Sequence, residues 1–70
     1  MKHDRIEVNR EIMLGKPVIR GTRITVQQVI DELAGGMSIA EILEAHPHLV
    51  EDDIAAAQQF AAEYISEAAE

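Results

Sequence analysis

The run Pro17-Val18-Ile19-Arg20-Gly21-Thr22-Arg23-Ile24-Thr25-Val26 constrains this 70-residue chain more than any other. Pro17 fixes its own φ, and Gly21 supplies a backbone bend that residues with a side chain resist. Two short pieces, Val18-Ile19 and Arg23-Ile24, flank Gly21 and suit brief extended segments. Arg20 and Arg23 are thereby displayed beside a tight turn. Thr25 then offers a hydroxyl as the N-cap of a helix, so bend and helix join without a linker.

Upstream, Arg5-Ile6-Glu7-Val8-Asn9 alternates polar and apolar residues and predicts a short half-buried strand. A two-stranded ribbon is marginal in water, so these strands need the helices or a second chain to persist. Ile12-Met13-Leu14 is a compact apolar run closed by Gly15-Lys16-Pro17, and it is expected to pack on the core as a turn. His3 reads as a loose terminal residue.

Downstream the period changes to that of a helix. Thr25 and Gln28 have capping-box spacing, and Val26, Val29, Ile30 and Leu33 follow at i, i+3, i+4 and i+7. Gly35-Gly36 stops that helix with a left-handed residue. Ser38 and Glu41 form a second capping box, and Ile39, Ile42 and Leu43 make the buried stripe of a short helix ended near Pro47. The third and longest helix begins with Glu51, Asp52 and Asp53, where carboxylates favour the helix dipole, and extends to about Glu67. Its stripe is Ile54, Ala57, Ala61, Tyr64, Ile65 and Ala68, with Phe60 at the edge. That stripe outruns the two shorter helices, so Tyr64 and Ile65 are candidate partner-interface residues.

The net charge of −7 hides a division. All six Lys and Arg lie in residues 1–23 with three carboxylates, which leaves that segment at +3. The other ten carboxylates lie in residues 24–70 without a single Lys or Arg. The chain is one domain, residues 1–70, with a basic arm of short strands through residue 24 and an acidic three-helix body from residue 25. A core this small is marginal alone, so a homodimer is expected. Absence of Cys excludes disulfides and thiol chemistry. No run has membrane length and no signal-peptide core precedes the first strand, so a cytoplasmic protein without membrane contact is expected.

No residues fall into a catalytic or cofactor-binding pattern, and so small a chain could hardly enclose a substrate pocket. His46 and His48 flank Pro47 at a spacing unsuited to a shared metal, and a solvated turn is the expectation. Gly36-Met37-Ser38, the Ile39/Ile42/Leu43 stripe and the short His46-Pro47-His48-Leu49 connection together match a helix-turn-helix. The start of its second helix is acidic, however, which phosphates would repel. Most of any nucleic-acid contact must therefore come from Lys16, Arg20 and Arg23 on the arm, around the turn set by Pro17 and Gly21. The competing reading has each Arg paired with a body carboxylate such as Glu32, holding arm to body.

These residues bring a resemblance. Pro17-x-Ile19-Arg20-Gly21-Thr22-Arg23-Ile24, Leu33-Ala34-x-Gly36-Met37-Ser38, Glu41-Ile42-Leu43, Pro47-x-Leu49 and Asp53-Ile54-x-Ala56-Ala57 together resemble the small prokaryotic family called domain of unknown function 433, from about Ile6 to Tyr64. The resemblance implies a helix-turn-helix-like fold and an antitoxin that silences a toxin with a PIN-like nuclease domain. By analogy with other antitoxins it also implies binding to operator DNA. Lys16, Arg20 and Arg23 are thus candidate contacts to nucleic acid or toxin: the two arginines suit phosphates or, equally, the acid cluster of a metal-dependent nuclease. One departure is Val50, where the family often has a hydroxyl residue. Val cannot cap the third helix, so the entry to that helix is expected to be a little looser, with Asp52 or Asp53 compensating in part. The expected fold is mainly α: a small N-terminal β element, then a three-helix, helix-turn-helix-like bundle. The expected function is neutralisation of a PIN-like toxin without enzymatic activity. The rivals are a stand-alone DNA-binding regulator and a pure dimerisation module.

Overall fold

The computed structural model describes residues 3–68, with side chains described as far as Tyr64. Two short strands, β1 (Ile6–Glu7) and β2 (Val18–Ile19), precede three helices, α1 (Val26–Ala34), α2 (Ile39–Ala45) and α3 (Glu51–Ala68). The strands pair antiparallel with Ile6 opposite Ile19 and Glu7 opposite Val18. The fold is therefore the mainly helical one expected, with its small β element at the N-terminal side. Among the described residues, no helix is long and apolar enough to cross a membrane.

Sequence dictates each boundary. Gly21 at φ +82° turns the chain, and the Thr22 N–H donates to the Ile19 carbonyl across the turn at 3.0 Å. Positive φ at the third position of such a turn requires Gly or nearly so. The Ile19 N–H donates to the Ile24 carbonyl at 2.9 Å, and Val18 bridges Thr25, so the segment after the bend folds back along β2. Thr25 caps α1 by accepting from the Gln28 N–H at 2.9 Å. Its box is only half formed, because the Gln28 amide reaches along the helix to Glu32 instead. Gly36 at φ +105° closes α1: the Met37 N–H reaches the Glu32 carbonyl and the Gly36 N–H reaches Leu33. That pair of bonds is a Schellman motif. Ser38 and Glu41 complete a reciprocal capping box at α2.

The third helix starts differently. Val50 offers no side-chain acceptor to the first turn, and the Asp53 carboxylate instead reaches back to take the Val50 N–H on Oδ2 at 3.0 Å, the reciprocal half of a capping box. Its Oδ1 accepts from the Arg5 guanidinium at 3.0 Å. Asp53 is 7 % exposed, and a buried carboxylate demands such partners. The core beneath is aliphatic: Ile6, Ile19, Val26, Val29, Ile42, Leu49, Ile54 and Ala57 form one cluster. Ile6 and Ile19, opposite each other in the ribbon, both enter it, which is how a two-stranded ribbon persists.

Ile39, expected in the buried stripe of α2, is 37 % exposed at the first residue of that helix. Two expectations for the N-terminal segment also fail. His3 is not loose: its imidazole lies 3.0 Å from a Glu63 carboxylate oxygen and meets the Phe60 ring edge-on at 5.2 Å. Met13 and Leu14 do not pack on the core. They adopt left-handed backbone, φ +50° and +58°, in a single turn with Gly15, and Leu14 is 93 % exposed. The turn is held by the Gly15 N–H on the Ile12 carbonyl and the Lys16 N–H on Met13. Left-handed backbone at a residue with a side chain costs about 1–2 kcal/mol.

The two roles of Asp53 set an expectation for stability. Asp53→Ala should lower unfolding free energy by about 2 kcal/mol, the order expected for losing a cap and a charged hydrogen bond. Asp52→Ala removes only an exposed 3.5 Å contact to Arg5 and should cost below about 0.5 kcal/mol. Urea unfolding of the two variants checks the difference.

Candidate functional site at the cationic bend

The bend between Arg20 and Ile24 is rigid for reasons local to its sequence. The Thr22 hydroxyl donates to the Ile19 carbonyl at 2.8 Å and accepts from the Ile24 N–H at 3.0 Å. With Gly21 at the turn, the backbone between the two arginines has little freedom.

The two arginines then diverge. Arg20 Nε donates to the Asp4 carbonyl at 2.6 Å, and Nη2 reaches the Ile6 carbonyl at 3.4 Å. The Arg20 N–H also donates to the Arg5 carbonyl at 2.8 Å. Arg20 therefore stitches the bend to the first strand, although its side chain stays largely exposed. Arg23 is exposed and has no hydrogen-bond or ion-pair partner among the described residues. Neither pairs with Glu32, the carboxylate proposed from sequence. Glu32 instead holds His46, with Nε2 at 3.1 Å from both carboxylate oxygens. The contact between arm and body is made by Arg5, through Asp53 and more loosely Asp52.

A shallow depression of about 540 Å³ lies beside the bend, lined by Arg20, Gly21, Thr22, Arg23, Ile24 and His48. A second, of about 390 Å³, flanks it with Arg23, Thr22, Gly21, Glu7 and Ile12. Arg23 borders both. His48 joins the bend only through the tertiary fold. It lies 25 residues beyond Arg23, and no spacing rule would connect them. Its neighbour His46 faces Glu32 instead, so the two imidazoles around Pro47 have separate surroundings.

Lys16 is not at the bend. It is exposed between Gly15 and Pro17, which line a different feature, an apolar groove of about 510 Å³ walled by α1 and α3. Tyr64, 67 % exposed, lines the same groove. At 18 residues α3 is twice the length of α1, and Tyr64 lies in its C-terminal half. The side chain of Ile65 lies outside the described residues. The acidic first turn of α3 is engaged from within by Arg5, and Glu51 and Asp52 stay exposed.

What this arrangement can do chemically is bind an anion. A guanidinium with free donors on a fixed backbone turn suits a carboxylate or phosphate through paired hydrogen bonds, and the adjoining Arg20 adds charge.

Residues 6–61, from the first strand into the middle of α3, match the family described as protein of unknown function (DUF433). The chain belongs to the DUF433 family. The match takes in the bend, both capped helices and Asp53, while Tyr64 lies just beyond it. Among relatives, the uncharacterized protein y4eO of Sinorhizobium fredii (strain NBRC 101917 / NGR234) is 41% identical over 51 residues. That stretch is 73% of this chain and 23% of y4eO, so this DUF433 chain spans about a quarter of that relative's length. The crystal structure of a DUF433 member protein from Anabaena variabilis ATCC 29413, at 2.00 Å resolution, superposes with a TM-score of 0.85 at 25% identity. The similarity covers 90% of this chain and 62% of that one.

The divergence of the two arginines is open to test. Arg20→Ala removes donors to two backbone carbonyls and should cost about 1 kcal/mol of stability. Arg23→Ala should stay within about 0.5 kcal/mol of the parent, because it breaks no contact. Chemical denaturation of both variants measures the split.

Proposed function

We propose that this DUF433 protein is an antitoxin-like partner that binds and neutralises a PIN-like nuclease toxin in the cytoplasm, with Arg23 as the contact that reaches the toxin's acidic centre. The observation that carries the reading is an exposed Arg23, without a hydrogen-bond or ion-pair partner among the described residues, held on a rigid turn beside Arg20 and His48. Nucleases of the PIN-like class hold their metal ions with carboxylates. A guanidinium docked among those carboxylates neutralises them and competes with the metal for the same oxygens. Because Gly21 and Thr22 already hold the backbone, the ordering cost when Arg23 engages falls on its side chain and not on the main chain. The protein's contribution is binding, without a reaction of its own.

A second reading uses the same bend. Operator DNA also presents anions, and Arg20 and Arg23 suit phosphate contacts. The arrangement favours the bend over the start of α3 as the phosphate-facing surface, because α3 opens on exposed Glu51 and Asp52. In that case Arg23→Ala lowers affinity alike for all sequences and reduces the salt slope by about one.

The experiment is inhibition of a PIN-like nuclease encoded beside the gene, assayed by RNA cleavage with the parent chain and with Arg23→Glu. Arg23→Glu should weaken inhibition and co-purification roughly thirtyfold or more, the size expected for an interface anchor. Circular dichroism should show the same helical content in both. If folded Arg23→Glu inhibits as well as the parent, the reading fails.

A further inference from the structure

Four of the six exposed large apolar side chains in the described structure gather at one place. Val8 and Tyr64 line the groove between α1 and α3, and Met13 and Leu14 stand immediately before Gly15, which lines it too. Pro17, Ile30 and Phe60 extend the groove's apolar wall. A groove and an exposed knob, Leu14, therefore adjoin through Gly15. The knob is held in left-handed backbone that a residue with a side chain rarely adopts, and the result is to push Leu14 into solvent.

The charges at this face are divided as well. On the knob side stand Arg10 and Lys16, both exposed and without an ion-pair partner among the described residues. Gly15 approaches Arg10 closely, so the two cations flank the same turn. The helices forming the opposite wall contain no Lys or Arg. There the exposed Asp31 carboxylate accepts a 2.8 Å hydrogen bond from Gln27, itself a wall residue.

We propose that this face is a self-complementary dimer surface, on which Leu14 of each copy seats in the groove of the other. A two-fold axis is what this layout calls for. In such an interface the contact of knob on groove is made twice, and Lys16 beside the knob and Asp31 beside the groove wall are of opposite sign for pairing across it. The occupant is a second copy because both complementary halves, apolar and charged, are present on the one chain. The proposal is independent of the toxin reading, which rests on the cationic bend.

Sedimentation velocity across a dilution series of the full chain is the test. The parent should sediment as a dimer that dissociates on dilution. Leu14→Asn keeps a residue tolerant of left-handed backbone and leaves the core untouched, so its unfolding midpoint should hold. Its dimer dissociation constant should nevertheless rise roughly tenfold or more. Lys16→Glu and Asp31→Lys should each weaken the dimer, and the two together in one chain should restore it, which a folding defect cannot imitate. A parent that stays monomeric at every concentration overturns the proposal. So does a Leu14→Asn or combined charge variant that fails to behave as stated. Loss of nuclease binding in Leu14→Asn with an intact dimer assigns the face to a different partner and likewise overturns it.

Discussion

The Asp53 carboxylate is the point on which arm and body both depend. A carboxylate this buried is tolerable only with both oxygens engaged. One oxygen takes the Val50 N–H and opens α3, and the other takes Arg5. From Arg5 the linkage continues in one step, because its carbonyl accepts the Arg20 N–H. A single side chain thus ties the start of the long helix, the first strand and the cationic bend together. The aliphatic core gives this connection its dry surroundings, with Ile54 and Leu49 on either side of Asp53 in sequence and both buried.

The same linkage explains how a chain of net charge −7 offers a basic surface. Of the cations in the arm, Arg5 is matched by body carboxylates and Arg20 by backbone carbonyls. Those contacts spend their donors on internal structure. Arg23 is left outward at the bend, and Arg10 and Lys16 outward at the Leu14 turn. The basic arm is therefore two surfaces with different surroundings: one beside His48 and lined by arginines, the other beside an apolar groove.

Much of the fold was legible in the sequence because it is local. Thr25, Ser38 and Gly36 act within a few residues of themselves, and the apolar period of α1 needs no tertiary knowledge. The bend was legible for the same reason, since Gly21 between two extended pieces has few alternatives. What escaped was long-range or strained. His3 meets Glu63 and Phe60 across nearly the whole chain, and Arg5 rather than Arg20 or Arg23 finds the body carboxylate. Ile12-Met13-Leu14 carries a core-like composition, yet the turn it makes with Gly15 turns Leu14 outward. Composition predicts burial only where the backbone lets a side chain point inward. His48 joined the candidate site by the same kind of tertiary accident, and Lys16 left it.

Native-state hydrogen exchange of the parent and Asp53→Ala tests the central linkage most directly. The Ile19 and Arg20 amides, bonded to Ile24 and Arg5, report on the bend, and the Ile42 and His46 amides report on α2. If Asp53 holds the arm, its replacement should lower protection at Ile19 and Arg20 further than at Ile42 and His46. Equal loss at all four amides, or loss confined to the start of α3, would contradict the account.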